Sequence, residues 1–201
     1  MTEIMRAYPW KTNAAMIADA VAPLGYIEGN VLDATYGAAG GFWTEYRPDD
    51  LTTNDLYTDT ADHHADFRDL PFAGESFTTV VYDPPYKLNG TPAMGAMDDR
   101  FGVGTDEWPT LNSTEKMLMI RDGAIECWRV TNRWLLVKCM DQVEGGKMRW
   151  QTHMITVALA AHGARLVDRF DFLTTPRPQP GGRAQRTARS NYSTLLVFGR
   201  D

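Results

Sequence analysis

The sequence predicts a doubly wound α/β domain, with a mostly parallel sheet that finishes in a C-terminal antiparallel hairpin. Strand-like and helix-like periods alternate along the chain. The strand candidates of the first half end at acids, beside turns that leave the sheet. The last two strand candidates are joined by a loop instead of a helix, which is how antiparallel neighbours connect. The 201 residues suit one domain with a substantial core. No repeat or composition break divides them, so residues 1–201 are read as a single domain.

Asn13 to Leu24 is an amphipathic segment stopped by Gly25. Asn30 to Ala34 is a short strand running into Gly37-Ala38-Ala39-Gly40-Gly41, and Phe42 to Tyr46 is expected as a short helix after that turn. Leu51 to Asn54 is a second strand ending in Asp55. The β-branched run Thr78-Thr79-Val80-Val81-Tyr82 is a third, ending in Asp83. A long Gly- and Met-rich loop, Lys87 to Pro109, follows. Asn112 and Glu115 have capping-box spacing and predict a helix to about Arg129. Arg133 to Cys139 is a buried-strand candidate, and His153 to His162 a helix ended by Gly163. Arg165 to Leu173 and Tyr192 to Phe198 are the closing strands.

A net charge of -6 at pH 7 argues against indiscriminate binding to phosphate backbones. One segment departs from it. Pro176 to Ser190 carries Arg177, Arg183, Arg186 and Arg189 with no acid, and its prolines and Gly181-Gly182 oppose a helix, so it reads as a basic loop suited to phosphates. The two cysteines, Cys127 and Cys139, lack Cys-x-x-Cys spacing, which suggests neither a disulfide framework nor a cysteine zinc site and places the chain in the cytoplasm. No apolar stretch reaches the ~18–20 residues of a membrane span, and Met-Thr-Glu does not resemble an export signal. No membrane partner is expected. Asp59, Asp62, His63, His64, Asp66 and Asp69 imitate a metal site, but adjacent histidines cannot face one centre on a regular element. No metal is expected.

Two constellations carry chemistry. Val31-Leu32-Asp33-Ala34-Thr35-Tyr36-Gly37 leads into Gly40-Gly41, placing an acid at the end of an apolar strand before a turn whose backbone can approach a ligand closely. It lacks the Gly-Lys-Ser/Thr of a phosphate loop. In Val80-Val81-Tyr82-Asp83-Pro84-Pro85-Tyr86 the two prolines have locked φ and no N–H, so they hold the backbone rigid where it leaves the sheet. A carboxylate, a carbonyl and an aromatic ring are thereby fixed side by side. That set suits a planar heterocycle bearing an amino group: Tyr86 stacks, while the Asp83 carboxylate and the Pro84 carbonyl accept its two N–H bonds.

The Asp83-Pro84-Pro85-Tyr86 run, following a Gly-rich first turn, resembles the DPPY-class amino-methyltransferases, which use S-adenosylmethionine to methylate adenine N6 or cytosine N4 of DNA. The likeness covers most of the chain. It implies a class I methyltransferase-like (Rossmann-like) sheet of seven strands, S-adenosyl-L-methionine as cofactor, and DNA as partner, either a duplex with the target base flipped out or a single strand. It makes Asp83, Pro84, Pro85 and Tyr86 the catalytic set. Asp33, Thr35, Gly37 and Gly40 then belong to the first cofactor motif. Trp10 and Asn13, in Trp10-Lys11-Thr12-Asn13, lie in the N-terminal cofactor-contact segment, and Asp66 and Phe67 flank the cofactor adenine. Asp55 is the acid placed to accept the ribose hydroxyls, with Asp59 in reserve.

On this reading Lys87 and the four arginines hold nucleic acid. Lys138, Asp141 and Gln142 at the end of a strand, and Trp150-Gln151, are candidates for the substrate side. The chain has no room for a separate target-recognition domain, so specificity would come from its loops, from a partner or from a second copy in a homodimer. Adenine N6 is taken ahead of cytosine N4, although both present the same amino group. An RNA or protein-glutamine methyltransferase stays open as an alternative, its relatives more often carrying Asn than Asp in the first place. So does a non-catalytic cofactor-binding protein, against which the intact Asp83 and Tyr86 stand.

Overall fold

Eight strands and three helices are built from residues 10–37, 40–88, 111–144, 146–173 and 192–200, the part of the chain that the computed structural model describes. The first helix, α1 (Asn13–Met16), is capped by the Thr12 hydroxyl and runs on into a π-type stretch, Ile17–Val21. Strands β1 (Val31–Asp33), β2 (Leu51–Thr53) and β3 (Phe77–Tyr82) follow. Helix α2 (Ser113–Val130) opens with the expected capping box between Asn112 and Glu115. Then come β4 (Thr131–Cys139), a small hairpin of β5 (Gln142–Glu144) and β6 (Lys147–Arg149), and α3 (Gln151–Ala160). The closing strands are β7 (Arg165–Leu173) and β8 (Tyr192–Gly199).

The main sheet has the order β2-β1-β3-β4-β8-β7. Its first four strands are parallel, and β8 runs antiparallel to both β4 and β7. The chain steps outward from β1 to β2 and then returns to place β3 on the other side of β1. The order therefore reverses between β1 and β3, and ligands of open α/β sheets bind outside the strand ends at such a point. Alternation along the strands divides the core between two faces. Leu32, Val80, Tyr82, Leu135 and Val137 pack with α2 and α3, whereas Val31, Val81, Leu136, Leu195 and Val197 pack with the first helix and with Phe42 and Trp43. Helices on both faces make the sheet doubly wound.

Gly123, in the middle of α2, marks a close approach. A Cβ there would lie 2.5 Å from Cδ2 of Phe67 and would also overlap the Tyr82 phenol. The Phe67 and Tyr82 rings, 5.3 Å apart, meet edge to face beneath it.

Two expectations are corrected. The described sheet has six strands, not seven. On the outer side of β2 the pairing shrinks to one parallel bridge, Asn54 to His63. There the Asp62 carboxylate accepts the Thr53 N–H at 2.8 Å and the Thr53 hydroxyl at 2.7 Å. A short acid thus takes a donor that a neighbouring strand would have used. Residues Phe42 to Tyr46 form turns, not a helix. A helix would splay Phe42 and Trp43 about 100° apart, yet both rings are buried in one cluster, and Pro48 disfavours helical backbone at Arg47. The β5–β6 hairpin, turned at Gly146 with φ 79, was not expected. No helix among the described residues is long and apolar enough to cross a membrane.

Candidate functional site

The ends of β1 and β3 are latched together. Asp33, the buried last residue of β1, accepts the Thr35 N–H at 3.0 Å and the Trp43 indole N–H at 2.6 Å. Burial nevertheless pushes its carboxyl up to about 7, and the negative Asp83 and Asp55 add to the rise. Both oxygens are committed to shaping the turn. The Thr35 hydroxyl in turn accepts the Asp83 N–H at 2.7 Å, so the glycine turn and the proline turn move as one unit.

Asp55 closes the other side. One of its oxygens accepts the Gly37 N–H at 2.9 Å, where φ is 65, and the other accepts the N–H groups of Tyr57 (3.0 Å) and Thr58 (2.9 Å). Asn54, fully buried, donates to the carbonyls of Ala34 (3.1 Å) and Ala65 (3.0 Å) and accepts the Ala65 N–H. That side chain stitches the β1 turn to the segment leading to Phe67.

A mainly apolar cleft opens between these turns. Of the residues expected from sequence, Thr35, Asp55, Asp66, Phe67, Asp83 and Pro85 line it. Leu56 and Tyr57 join them, as do the backbones tied by Asn54, Ala34 and Ala65. The Asp66 carboxylate is held by Arg68, which keeps it below the usual carboxylate range. Asp59, the reserve acid, is exposed and outside the cleft.

Asp83 differs from its neighbours. Its Oδ1 is sealed from solvent and has no hydrogen-bond partner among the described residues. Burial pushes the carboxyl up to about 6, and the Lys138 ammonium opposes that rise. The register pairs Tyr82, the last residue of β3, with Val137, so Asp83 leaves the sheet beside Lys138 of β4. Lys138 is fully buried, donates to Asn13 Oδ1 at 2.9 Å and lies 5.0 Å from the centroid of the Phe172 ring. Desolvation holds its ammonium down to about 8.

Tyr86 is fastened at three points. Its N–H donates to the Pro84 carbonyl at 2.6 Å, so that carbonyl has one lone pair already engaged. Its own carbonyl accepts the side-chain amides of Gln142 (2.7 Å) and Gln151 (2.6 Å). The phenol hydrogen-bonds Ser193, and burial raises its pKa.

Trp10, Asn13, Gly37 and Gly40 are not among the residues that line the cleft. Trp10 packs on Phe170, with ring centroids 6.1 Å apart. Asn13 faces Lys138. Gly37 and Gly40 shape the turn; a Cβ on Gly40, where φ is 52, would come within 2.8 Å of the Tyr36 hydroxyl oxygen. Lys87 is exposed beyond the proline turn. Arg177, Arg183, Arg186 and Arg189 lie outside the described residues. Among the described residues no group of three or more His, Cys, Asp or Glu side chains is gathered around one centre.

Sequence reasoning missed Asn54 and the Leu56-Tyr57 pair. The first has an audible signal only in hindsight, as a polar residue following two β-branched ones at the end of a strand. The others read as an ordinary loop.

No protein-family model and no curated protein sequence matches the chain. Solved structures do. An S-adenosylmethionine-dependent methyltransferase from Methanosarcina mazei superimposes with a TM-score of 0.51 at 10% identity, over 89% of this chain and 96% of that one. Magnesium protoporphyrin IX methyltransferase from Synechocystis PCC 6803, with bound S-adenosylhomocysteine, gives 0.50 at 13% identity over 94% and 82%. A protein from Pyrococcus horikoshii OT3 gives 0.50 at 13% identity over 93% and 90%. The fold is therefore one shared with S-adenosylmethionine-dependent methyltransferases, a class I sheet with its antiparallel C-terminal hairpin.

Proposed function

We propose that the chain is an S-adenosylmethionine-dependent methyltransferase that modifies the exocyclic amino group of a flipped DNA base, adenine N6 ahead of cytosine N4. The observation that carries this reading is Asp83 in the wall of the cleft, on a Pro-Pro turn at the point where the strand order reverses, with an Oδ1 that has no hydrogen-bond partner among the described residues. A buried acceptor left without a donor costs free energy. A substrate N–H would recover it.

The residues fit the cofactor. A carboxylate offers about four acceptor positions, and Asp55 spends three on backbone N–H groups, leaving capacity for a ribose hydroxyl. Leu56, Tyr57 and Phe67 supply apolar walls for the adenine, with Asp66 at its edge. The cations of the cofactor would meet a cleft lined by Asp55, Asp66 and Asp83. When bound, S-adenosylmethionine supplies an electrophilic methyl group on a sulfonium. This chain's part is to aim the amine. The Asp83 carboxylate accepts one of its N–H bonds and the free lone pair of the Pro84 carbonyl accepts the other, which favours a pyramidal nitrogen, and the carboxylate stabilises the positive charge that develops there. Tyr86 offers its ring to the base, whose extrusion from a duplex costs a few kcal/mol. The four arginines between β7 and β8 are proposed to hold phosphates.

Labelled S-adenosylmethionine offered with separate unmethylated DNA, RNA and protein pools, followed by nucleoside analysis, tests the reading. Label in N6-methyladenine of DNA is the expected result; label confined to RNA or protein would overturn the substrate. Asp83→Ala and Tyr86→Ala should lose most turnover while calorimetry shows the cofactor still bound. Asp55→Ala should weaken cofactor binding by about 1.5–3 kcal/mol, the range of a hydrogen bond to a charged group.

A further inference from the structure

Pro84 and Pro85 stabilise the turn at a cost to the sheet. Neither has an N–H, so β3 cannot continue its ladder to β4 past Tyr82. Beyond that point two glutamine side chains replace the ladder. Gln142 opens β5 and Gln151 opens α3, and both donate their amides to one acceptor, the Tyr86 carbonyl. Their oxygens are used as well: Gln142 Oε1 accepts the Leu88 N–H at 3.2 Å, and Gln151 Oε1 accepts the Met140 N–H at 3.0 Å. Gln151 is wholly buried and Gln142 nearly so.

Ordering two such side chains in the interior is expensive in rotamer entropy and desolvation. A single amide would satisfy the carbonyl. Two donors approaching it from the two ends of one hairpin fix not only its position but the direction in which it points, and hence the plane of the peptide that carries the Tyr86 ring. The Tyr86 N–H to Pro84 and the phenol to Ser193 complete the restraint.

We infer that Gln142 and Gln151 are positioning residues for methyl transfer: they hold Tyr86 so that its ring meets the target base in the orientation that brings the amine onto Asp83. This rests on the proposed amino-methyltransferase reading. The glutamines touch neither base nor cofactor. They act through Tyr86.

Gln142→Met and Gln151→Met keep the length of the side chain and remove its amide. Steady-state and single-turnover methylation are compared for wild type and each variant, with cofactor affinity measured by calorimetry, and each substitution is repeated in a Tyr86→Ala background. The expected result is a fall in kcat on the order of ten- to a hundredfold, the scale of a small misplacement of reacting groups, with cofactor Kd unchanged. In the Tyr86→Ala background the same substitutions should cost nothing further, because residues that act through one group are not additive. If Gln151→Met does not fold, Gln142→Met, nearer the surface, decides alone. Unchanged kcat, or losses that multiply with that of Tyr86→Ala, would overturn the inference. A wild-type chain that methylates no nucleic acid overturns the underlying reading and the inference with it; an active wild type with indifferent glutamine variants overturns the inference only.

Discussion

Asp83, one residue past the end of β3, and Lys138 on β4 influence each other's charge, one a carboxylate raised by burial and the other an ammonium lowered by it. Each keeps the other charged. On the proposed reading, protonation makes Asp83 a weaker acceptor and removes the negative charge that stabilises the developing positive amine, so methyl transfer should fall away on the acid side near its value of about 6. Replacing Lys138 by Met removes the cation that opposes the rise, so the acid limb should move to higher pH. A pH series of kcat/KM on both proteins checks the sign, and an unmoved limb would separate the two residues. The sequence made Asp83 visible because a Pro-Pro pair has few other uses at the end of a buried strand. It could not show that Lys138 is buried, since a lysine ending an apolar strand looks the same whether it snorkels to water or turns inward. The convergence of Gln142 and Gln151 was hidden for a similar reason. Nine positions apart, on different elements, they meet only because a hairpin folds between them.

At the scale of elements, long periodic segments were legible and short ones were not. The expected span of β7 and the capping box of α2 match the structure, because each is written in residues that satisfy their own backbone. The turn after Gly41 was misread because two buried aromatics outweighed local helical preference. Helix α2 also carries a feature that composition conceals. Gly123 costs helix stability relative to Ala, and its return is contact with Phe67 and Tyr82. Gly123→Ala should therefore destabilise the fold despite its better helix propensity, by about 1–3 kcal/mol as for other overpacked cores. On the proposed reading it should also weaken cofactor binding, because Phe67 lines the cleft. Denaturant melts and calorimetry on the variant measure both; greater stability would show that the ring has room to retreat.

For the whole molecule, the burial of acids at one edge of the sheet sets the response to pH. Asp33 and Asp83 have native values of about 7 and about 6, above the usual 3.8, so the folded state binds protons more tightly than the unfolded one. Stability should accordingly increase as pH falls from about 7 towards 5, the window between those values and the unfolded range. Asp62, Asp66 and Glu126 are held low and keep their charge in that window, reversing the trend only in stronger acid. Urea midpoints across the range test this, and Asp33→Asn should flatten the slope. The doubly wound plan was legible because alternation and loop lengths dictate it. The sixth-for-seventh strand count was not, since a side chain that substitutes for a strand leaves no periodic trace.

That substitution bears on how the molecule breathes. At its outer margin β2 is three residues long and is secured by one bridge and the Asp62 carboxylate, whereas β4 and β8 are long and paired on both sides. Amide exchange should divide the sheet accordingly, with the β2 margin opening in small local fluctuations and the β4–β8 centre exchanging only when the chain unfolds globally. Since Asn54 and Asp55 follow β2 directly, a ligand in the cleft would draw on this margin for its closure. Adding S-adenosylhomocysteine should then slow exchange at Thr53, Asp55 and His63 far more than at Leu136 or Val197. Equal protection throughout would mean that the margin is as firm as the centre and that the cleft is rigid before anything enters it.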